Sequence, residues 1–117
     1  MKIIIAGSRD VTKYSDVFQA VYESSWIDKI TEVVSGRARG VDKLGEEFAK
    51  DREIPVALFP ADWNTYGKRA GYLRNEDMAH YADALIAVWD GKSKGTRHMI
   101  DFMKMLNKPV YIYYTED

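Results

Sequence analysis

Five short apolar runs constrain this chain more than any other feature. They lie at Ile3–Ala6, Glu32–Val34, Val56–Phe59, Ala84–Trp89 and Val110–Tyr113. Their apolar residues are mostly continuous rather than alternating, the pattern of strands covered on both faces. Helical periodicity fills the gaps. Phe18, Val21, Tyr22 and Trp26 share a face in the first helix, and Val41, Leu44, Phe48 and Ala49 in the second. The third helix, about Arg69 to Tyr81, is less regular; the fourth carries Met99, Ile100, Met103 and Leu106. The order is βαβαβαβαβ, with residues 60–68 as the longest loop and residues 115–117 as a frayed tail. That order predicts an α/β, three-layer domain: a five-stranded parallel sheet of order 3-2-1-4-5 with right-handed crossovers. In such a sheet the binding crevice opens at the carboxyl ends of the strands, where strand order reverses.

Three strand-to-helix junctions at that end carry the chemistry. After the second strand the chain reads Ser35-Gly36-Arg37-Ala38-Arg39-Gly40-Val41-Asp42. Gly7-Ser8-Arg9 follows the first strand, and Asp90-Gly91-Lys92-Ser93-Lys94-Gly95-Thr96 the fourth. Glycines allow tight turns and close approach of backbone to a ligand. Helix-start N–H groups and arginines suit an anion, phosphate above all. Arg9, Arg37, Arg39, Lys68, Arg69, Arg74, Lys92, Lys94 and Arg97 fall in these loops or the adjoining helix starts, nine of the chain's 17 basic residues. A chain of net charge -1 thus gathers positive charge on one rim. The competing reading, that loops are simply polar, explains any single Lys or Arg better than it explains the set.

The hydroxyls of Ser8, Ser35, Ser93 and Thr96 suit phosphate oxygens, and they also suit helix capping. Asp42 stands at a helix start, where a cap is the better reading and a ribose hydroxyl the alternative. Gly71, Arg74, Asn75 and Met78 recur at i, i+3, i+4 and i+7, one helix face. That stripe is either solvated or turned toward an anion or a base edge. Trp63 and Tyr66 either anchor their loop or stack on a base. His80 and His98 are two and far apart, so each reads as structural and no metal site is expected.

Other classes drop out. With 117 residues the chain suits one domain, 1–117. It has no cysteine, which excludes thiol catalysis and disulfides. No stretch approaches the roughly 20 apolar residues of a membrane span, and the initial apolar run is too short for a signal peptide, so a cytoplasmic location is expected. Gly91-Lys92-Ser93 lacks the earlier glycine of a Walker loop, since Ile86 stands there, and no GxGxxG follows the first strand. Neither ordinary ATPase nor NAD-dependent redox chemistry is therefore expected, and no cofactor is assigned.

The loop Ser35–Asp42 resembles the Ser-Gly-x-Ala-Arg-Gly-(Ile/Val)-Asp signature of the SLOG superfamily, which includes DprA and the LOG phosphoribohydrolases. Gly7-Ser8-Arg9, Trp63, Gly67-Lys68-Arg69-Ala70-Gly71, Arg74-Asn75 and Trp89 through Thr96 narrow the likeness to the small YspA branch, related to cpYpsA. It spans about Lys2 to Tyr113. The resemblance implies a Rossmann-like fold and a pocket for a nucleotide or nucleotide derivative, used by a sensor or by a nucleotide-processing enzyme. The ligand-binding set expected on these grounds is Gly7, Ser8, Arg9, Ser35, Gly36, Arg39, Gly40, Asp42, Gly71, Arg74, Asn75, Asp90, Ser93, Gly95 and Thr96.

The chain departs from LOG enzymes at one position. Aligning their Gly-Gly-x-Gly-Thr-x-x-Glu on Gly95-Thr96 puts Met99 where the catalytic Glu stands, with Ser93 at the second Gly. Cleavage through an oxocarbenium-like state needs a carboxylate; Asp90, Glu76 and Asp77 are the nearby substitutes, and no catalytic residue is assigned. Three readings stay open: a nucleotide-derivative binder acting as a sensor, a phosphoribohydrolase-like hydrolase, and a DprA-type single-strand DNA binder. The last needs a long basic groove with stacking aromatics and fits a net charge of -1 poorly. Tyr14, Tyr22, Trp26, Tyr72, Tyr81 and the Met-rich last helix exceed what one small sheet needs, which predicts a homodimer or higher homo-oligomer.

Overall fold

The computed structural model describes residues 1–115. Strands β1 (Lys2–Gly7), β2 (Glu32–Ser35), β3 (Val56–Leu58), β4 (Ala84–Trp89) and β5 (Val110–Tyr114) form one parallel sheet of order β3-β2-β1-β4-β5. Helices α1 (Tyr14–Glu23), α2 (Val41–Asp51), α4 (Ala70–Tyr81) and α5 (Lys94–Met105) provide the crossovers. A single turn, α3 (Trp63–Tyr66), and a 3-10 turn (Gly67–Arg69) precede α4. The architecture is the expected Rossmann-like three-layer sandwich.

The continuous apolar strands work because each feeds two cores. In β1, Ile3 and Ile5 pack under α1 and α2 with Val33, Phe48 and Ile86. Ile4 and Ala6 point the other way, toward α4 and α5, with Val34, Leu85, Met78 and Met103. Every residue of β4 is buried. The strand order reverses between β1 and β4, so their carboxyl ends at Gly7 and Trp89 flank a crevice.

Three local expectations are corrected. In α1 the buried face is Val17, Ala20 and Val21, whereas Phe18 and Tyr22 are exposed. The helix stops at Glu23 and Ser25 takes a φ of 67°, so Trp26 reaches the core from the following turn rather than along the helix face. Phe18 instead lies against Phe48, with the Arg52 guanidinium over both rings. The long loop at 60–68 is partly helical, because the Asp62 carboxylate accepts from the Thr65 N–H at 3.2 Å and nucleates α3. Thr115 is tied to Trp89, its N–H donating to the Trp89 carbonyl at 2.9 Å; the rest of the expected tail, residues 116–117, lies outside the described residues.

Of the surplus aromatics, Tyr14 and Trp26 pack against the α1–α2 core. Tyr22, Tyr72, Tyr81 and Met105 are exposed. Among the described residues no helix is long and apolar enough to cross a membrane.

Candidate functional site

Three adjoining hollows at the carboxyl end of the sheet share Arg9 and Arg74 in their walls. The innermost, about 330 Å³, is floored by Ala6, Gly7, Met78 and Met99 and walled by Asp42, Asn75, Ser93, Gly95 and Thr96. A second, about 390 Å³, runs outward past Gly36, Arg37 and Arg39. The third, about 210 Å³, lies between α4 and the α3 turn.

The loop after β2 is shaped by its own side chains. The Ser35 hydroxyl, fully buried, donates to Glu46 Oε2 at 2.6 Å and accepts from the Arg37 N–H at 3.2 Å. Arg37, with a φ of 66°, swings back to pair with Glu46 at 2.6 Å. Gly40 holds a φ of 78° at the N-cap of α2, where a Cβ would strike the Ser8 carbonyl oxygen at 2.5 Å. These contacts are internal. Ser35 and Gly40 build the loop and line none of the hollows, contrary to their place in the expected ligand set.

Asp42 also departs from expectation. It does not cap α2; Gly40 holds that position without a side-chain bond. Its carboxylate is 5% exposed, forms part of the inner wall and accepts from the Ala38 N–H at 3.3 Å. Burial pushes its pKa up to about 6, while the Arg74 charge and the Ala38 and Gly7 N–H groups oppose the rise and Glu46 adds to it.

Arg74 crosses the cleft from α4. Its Nη1 donates to the Gly36 carbonyl and its Nε to Asn75 Oδ1 at 3.1 Å. Burial lowers its pKa, Asp42 counters this, and the like charge of Arg9 lowers it further. Arg9 is exposed and has no hydrogen-bond or ion-pair partner among the described residues. Arg39, its side chain 76% exposed, meets Asp10 at 3.8 Å.

Asn75 is a brace. Its Nδ2 donates to the Gly95 carbonyl at 3.2 Å and lies 3.3 Å from His98 Nδ1, joining α4 to α5. Burial lowers the His98 pKa, against the opposing charges of Glu76 and Asp101.

Across the cleft stands the first turn of α5. Ser93 is its N-cap but caps nothing, because its hydroxyl engages Asp90 Oδ2 and Ser8 Oγ, both at 3.2 Å. Asp90 in turn accepts the Lys92 and Ser93 N–H groups, each at 2.8 Å, and these bonds hold its pKa below the usual carboxylate value. Ser8, 2% exposed, accepts from the Asp90 N–H at 3.1 Å. Ser8 and Asp90 therefore clasp the β1 and β4 loops together instead of facing the inner hollow. The N–H groups of Lys94, Gly95 and Thr96 have no intrahelical acceptor, as at any helix start. The Thr96 hydroxyl, on a residue only 6% exposed, has no partner among the described residues and belongs to the cleft wall. The space over Gly95 is open, with no atom within 4 Å of a Cβ placed there.

Sequence comparison agrees with this frame. A model of the YspA, cpYpsA-related SLOG family matches residues 1–66, more than half of the 117-residue chain. The chain belongs to that family. It is also 32% identical over 116 residues to the "Gene 61 protein" of Mycobacterium phage D29, an alignment covering 93% of each chain. No solved structure matches. The family-matched segment supplies Gly7, Arg9, Gly36, Arg39 and Asp42, while Arg74, Asn75, Gly95 and Thr96 come from beyond it.

Of the expected set, Gly7, Arg9, Gly36, Arg39, Asp42, Gly71, Arg74, Asn75, Ser93, Gly95 and Thr96 meet around the hollows. Met78 and Met99, outside the expected ligand set, form apolar floor. Met78 was visible as the i+7 member of the Gly71–Arg74–Asn75 stripe.

Proposed function

We propose that the cleft binds the phosphate of a nucleotide or nucleotide-derived ligand and that the protein works as a sensor of that ligand. One observation carries the reading. Two like-charged guanidiniums, Arg9 and Arg74, share the walls of all three hollows, and the one buried carboxylate that acts on Arg74, Asp42, has a pKa pushed up to about 6. Opposite them the uncapped first turn of α5 offers three N–H groups and the unpartnered Thr96 hydroxyl. A dianion there would relieve the repulsion and satisfy the donors together. Residues 1–117 then act as one ligand-binding domain, in the cytoplasm. The exposed Tyr22, Met105 and Tyr114 favour self-association, and the confined basic cluster favours a small anion over nucleic acid.

Calorimetric titration with adenosine 5′-monophosphate at low salt tests this. Arg9→Gln should weaken binding roughly ten- to a hundredfold, the loss of one charge-assisted bond. Gly95→Ala should weaken it too, by filling the open space, while leaving stability unchanged or slightly higher. Binding that is absent at millimolar nucleotide, or indifferent to Arg9, would refute the proposal.

Asp42 supports a second reading, hydrolysis. Asp90, Glu76 and Asp77 line none of the three hollows, but Asp42 walls the innermost and carries a pKa of about 6. That value suits proton transfer near neutral pH.

A further inference from the structure

Trp63 is set apart from the other tryptophans. Trp89 lies under the Arg97 guanidinium and beside Tyr114, and its Nε1 donates to the Ser93 carbonyl at 3.1 Å. Trp26 packs into the α1–α2 core. Trp63 is 50% exposed; among the described residues no ring or cation covers its indole and its Nε1 has no acceptor.

It is nevertheless held in place. A Cβ at Gly71 would lie 3.3 Å from Trp63 Cη2 and 3.9 Å from Cζ3, so the missing side chain of Gly71 leaves a seat on α4 for the ring edge. Asp62 fixes the turn that carries Trp63, and Gly67, with a φ of 58°, redirects the chain into α4. Gly71 therefore admits Trp63 rather than a ligand. The seated ring forms a wall of both outer hollows, each of which also contains Arg9 and Arg74.

We infer that Trp63 is the stacking wall for an aromatic heterocycle whose phosphate lies at Arg9 and Arg74. The inference rests on the phosphate reading above and specifies the ligand further: it must carry a planar base beyond the sugar phosphate. An indole face accepts any base, since each presents a π surface. Discrimination among bases then falls to polar groups beside the ring rather than to Trp63 itself.

Two probes separate the parts. Ribose 5-phosphate reads the phosphate site alone, and adenosine 5′-monophosphate adds the base. In the unaltered protein the nucleotide should bind roughly five- to 150-fold more tightly, the range one stacked base provides. Trp63→Ala should erase that gain and leave ribose 5-phosphate affinity within about twofold. Trp63→Tyr should keep part of the gain, and Gly71→Val, which pushes the ring off its seat, should lose it with Trp63 intact. Nucleotide should quench tryptophan emission in the unaltered protein and not in Trp63→Phe. A gain that persists in Trp63→Ala overturns the stacking role while the phosphate site stands. If neither probe binds, or both bind regardless of Arg9→Gln, the phosphate reading itself fails and takes this one with it.

Discussion

Arg74 bridges to Gly36, and that contact exists because residue 36 has no side chain. The guanidinium donates to the Gly36 carbonyl, and a Cβ at 36 would sit 2.7 Å from the same Nη1 and 2.9 Å from Asp42 Oδ2. Thirty-eight residues apart in sequence, the two join the family's loop to α4 and set the Arg74 charge beside the buried carboxylate.

Arg74 is thus both a site group and a structural one. Arg74→Gln should lower stability by about 1–3 kcal/mol, because it strips a buried carbonyl of its donor and a buried carboxylate of its countercharge. It should also weaken anion binding about tenfold or more. Arg74→Lys should recover part of the affinity but not the two-point geometry. Urea unfolding and phosphate titration of the same preparations measure both. Gln at 74 with unchanged unfolding would mean the bridge contributes nothing.

Asp42 gives the protein a defined pH dependence. Its pKa is 3.8 in the ordinary state and about 6 when folded. The folded chain therefore retains this proton over a range where the unfolded chain releases it. The stability it provides is complete below about pH 4 and is lost as pH rises through about 6, on the order of 3 kcal/mol in all. Asp42→Asn should flatten that part of the stability profile. The groups around the carboxyl are Arg74, Glu46 and the Ala38 and Gly7 N–H groups. Protonating Asp42 removes the negative charge beside Arg74, so sulfate, which stays divalent, should bind better at pH 5 than at pH 7. In Asp42→Asn that difference should vanish. Sulfate affinity that is level with pH in the unaltered protein would contradict the assignment.

Lys108 provides a test remote from the cleft. Its Nζ donates to the carbonyls of Ala79, His80 and Ala82, at 2.7, 3.1 and 2.8 Å. It caps the carboxyl end of α4, where a cation also meets the helix dipole. Lys108→Met should cost about 1–2 kcal/mol in chemical denaturation and leave ligand affinity unchanged. An affinity change in step with the stability change would show that α4 is only marginally fixed against the cleft.

The sheet was legible because continuous runs such as Ile3–Ala6 and Ala84–Trp89 specify strands covered on both faces, and their alternation with helices leaves few topologies. The Gly and Arg pattern likewise falls on the loops that wall the hollows. Individual roles were less visible, since they depend on contacts distant in sequence. Ser8 and Ser93 read as hydroxyls suited to phosphate and Asp90 as a ligand-binding carboxylate, but bonds spanning 82 and 85 residues turn Ser8 into a clasp with the other two. Gly71 looked like an opening for ligand until Trp63, brought round by the Asp62-capped turn, filled it. Asp42 looked like a cap because position alone cannot reveal burial.

Met99, where the sequence likeness to LOG enzymes would set their glutamate, is 1% exposed and packs with Met78 and Met103 in the apolar cluster under the cleft. Asp42 is the buried carboxylate in the same hollow, and it already accepts backbone N–H bonds with Arg74 beside it. Those interactions stabilise its anion without leaving it free to follow charge developing on a ribose. The unaltered protein should therefore release base from a nucleoside monophosphate far more slowly than the roughly 10 per second of a typical enzyme. Incubation with adenosine 5′-monophosphate, followed by chromatography for free adenine, measures this. Met99→Glu should not create activity, because it buries a charge in apolar floor and should unfold the domain first. Brisk adenine release that disappears in Asp42→Asn, with nucleotide still bound, would make Asp42 the catalytic carboxylate. The protein would then be a hydrolase whose carboxylate stands at the start of α2, across β1 from Met99.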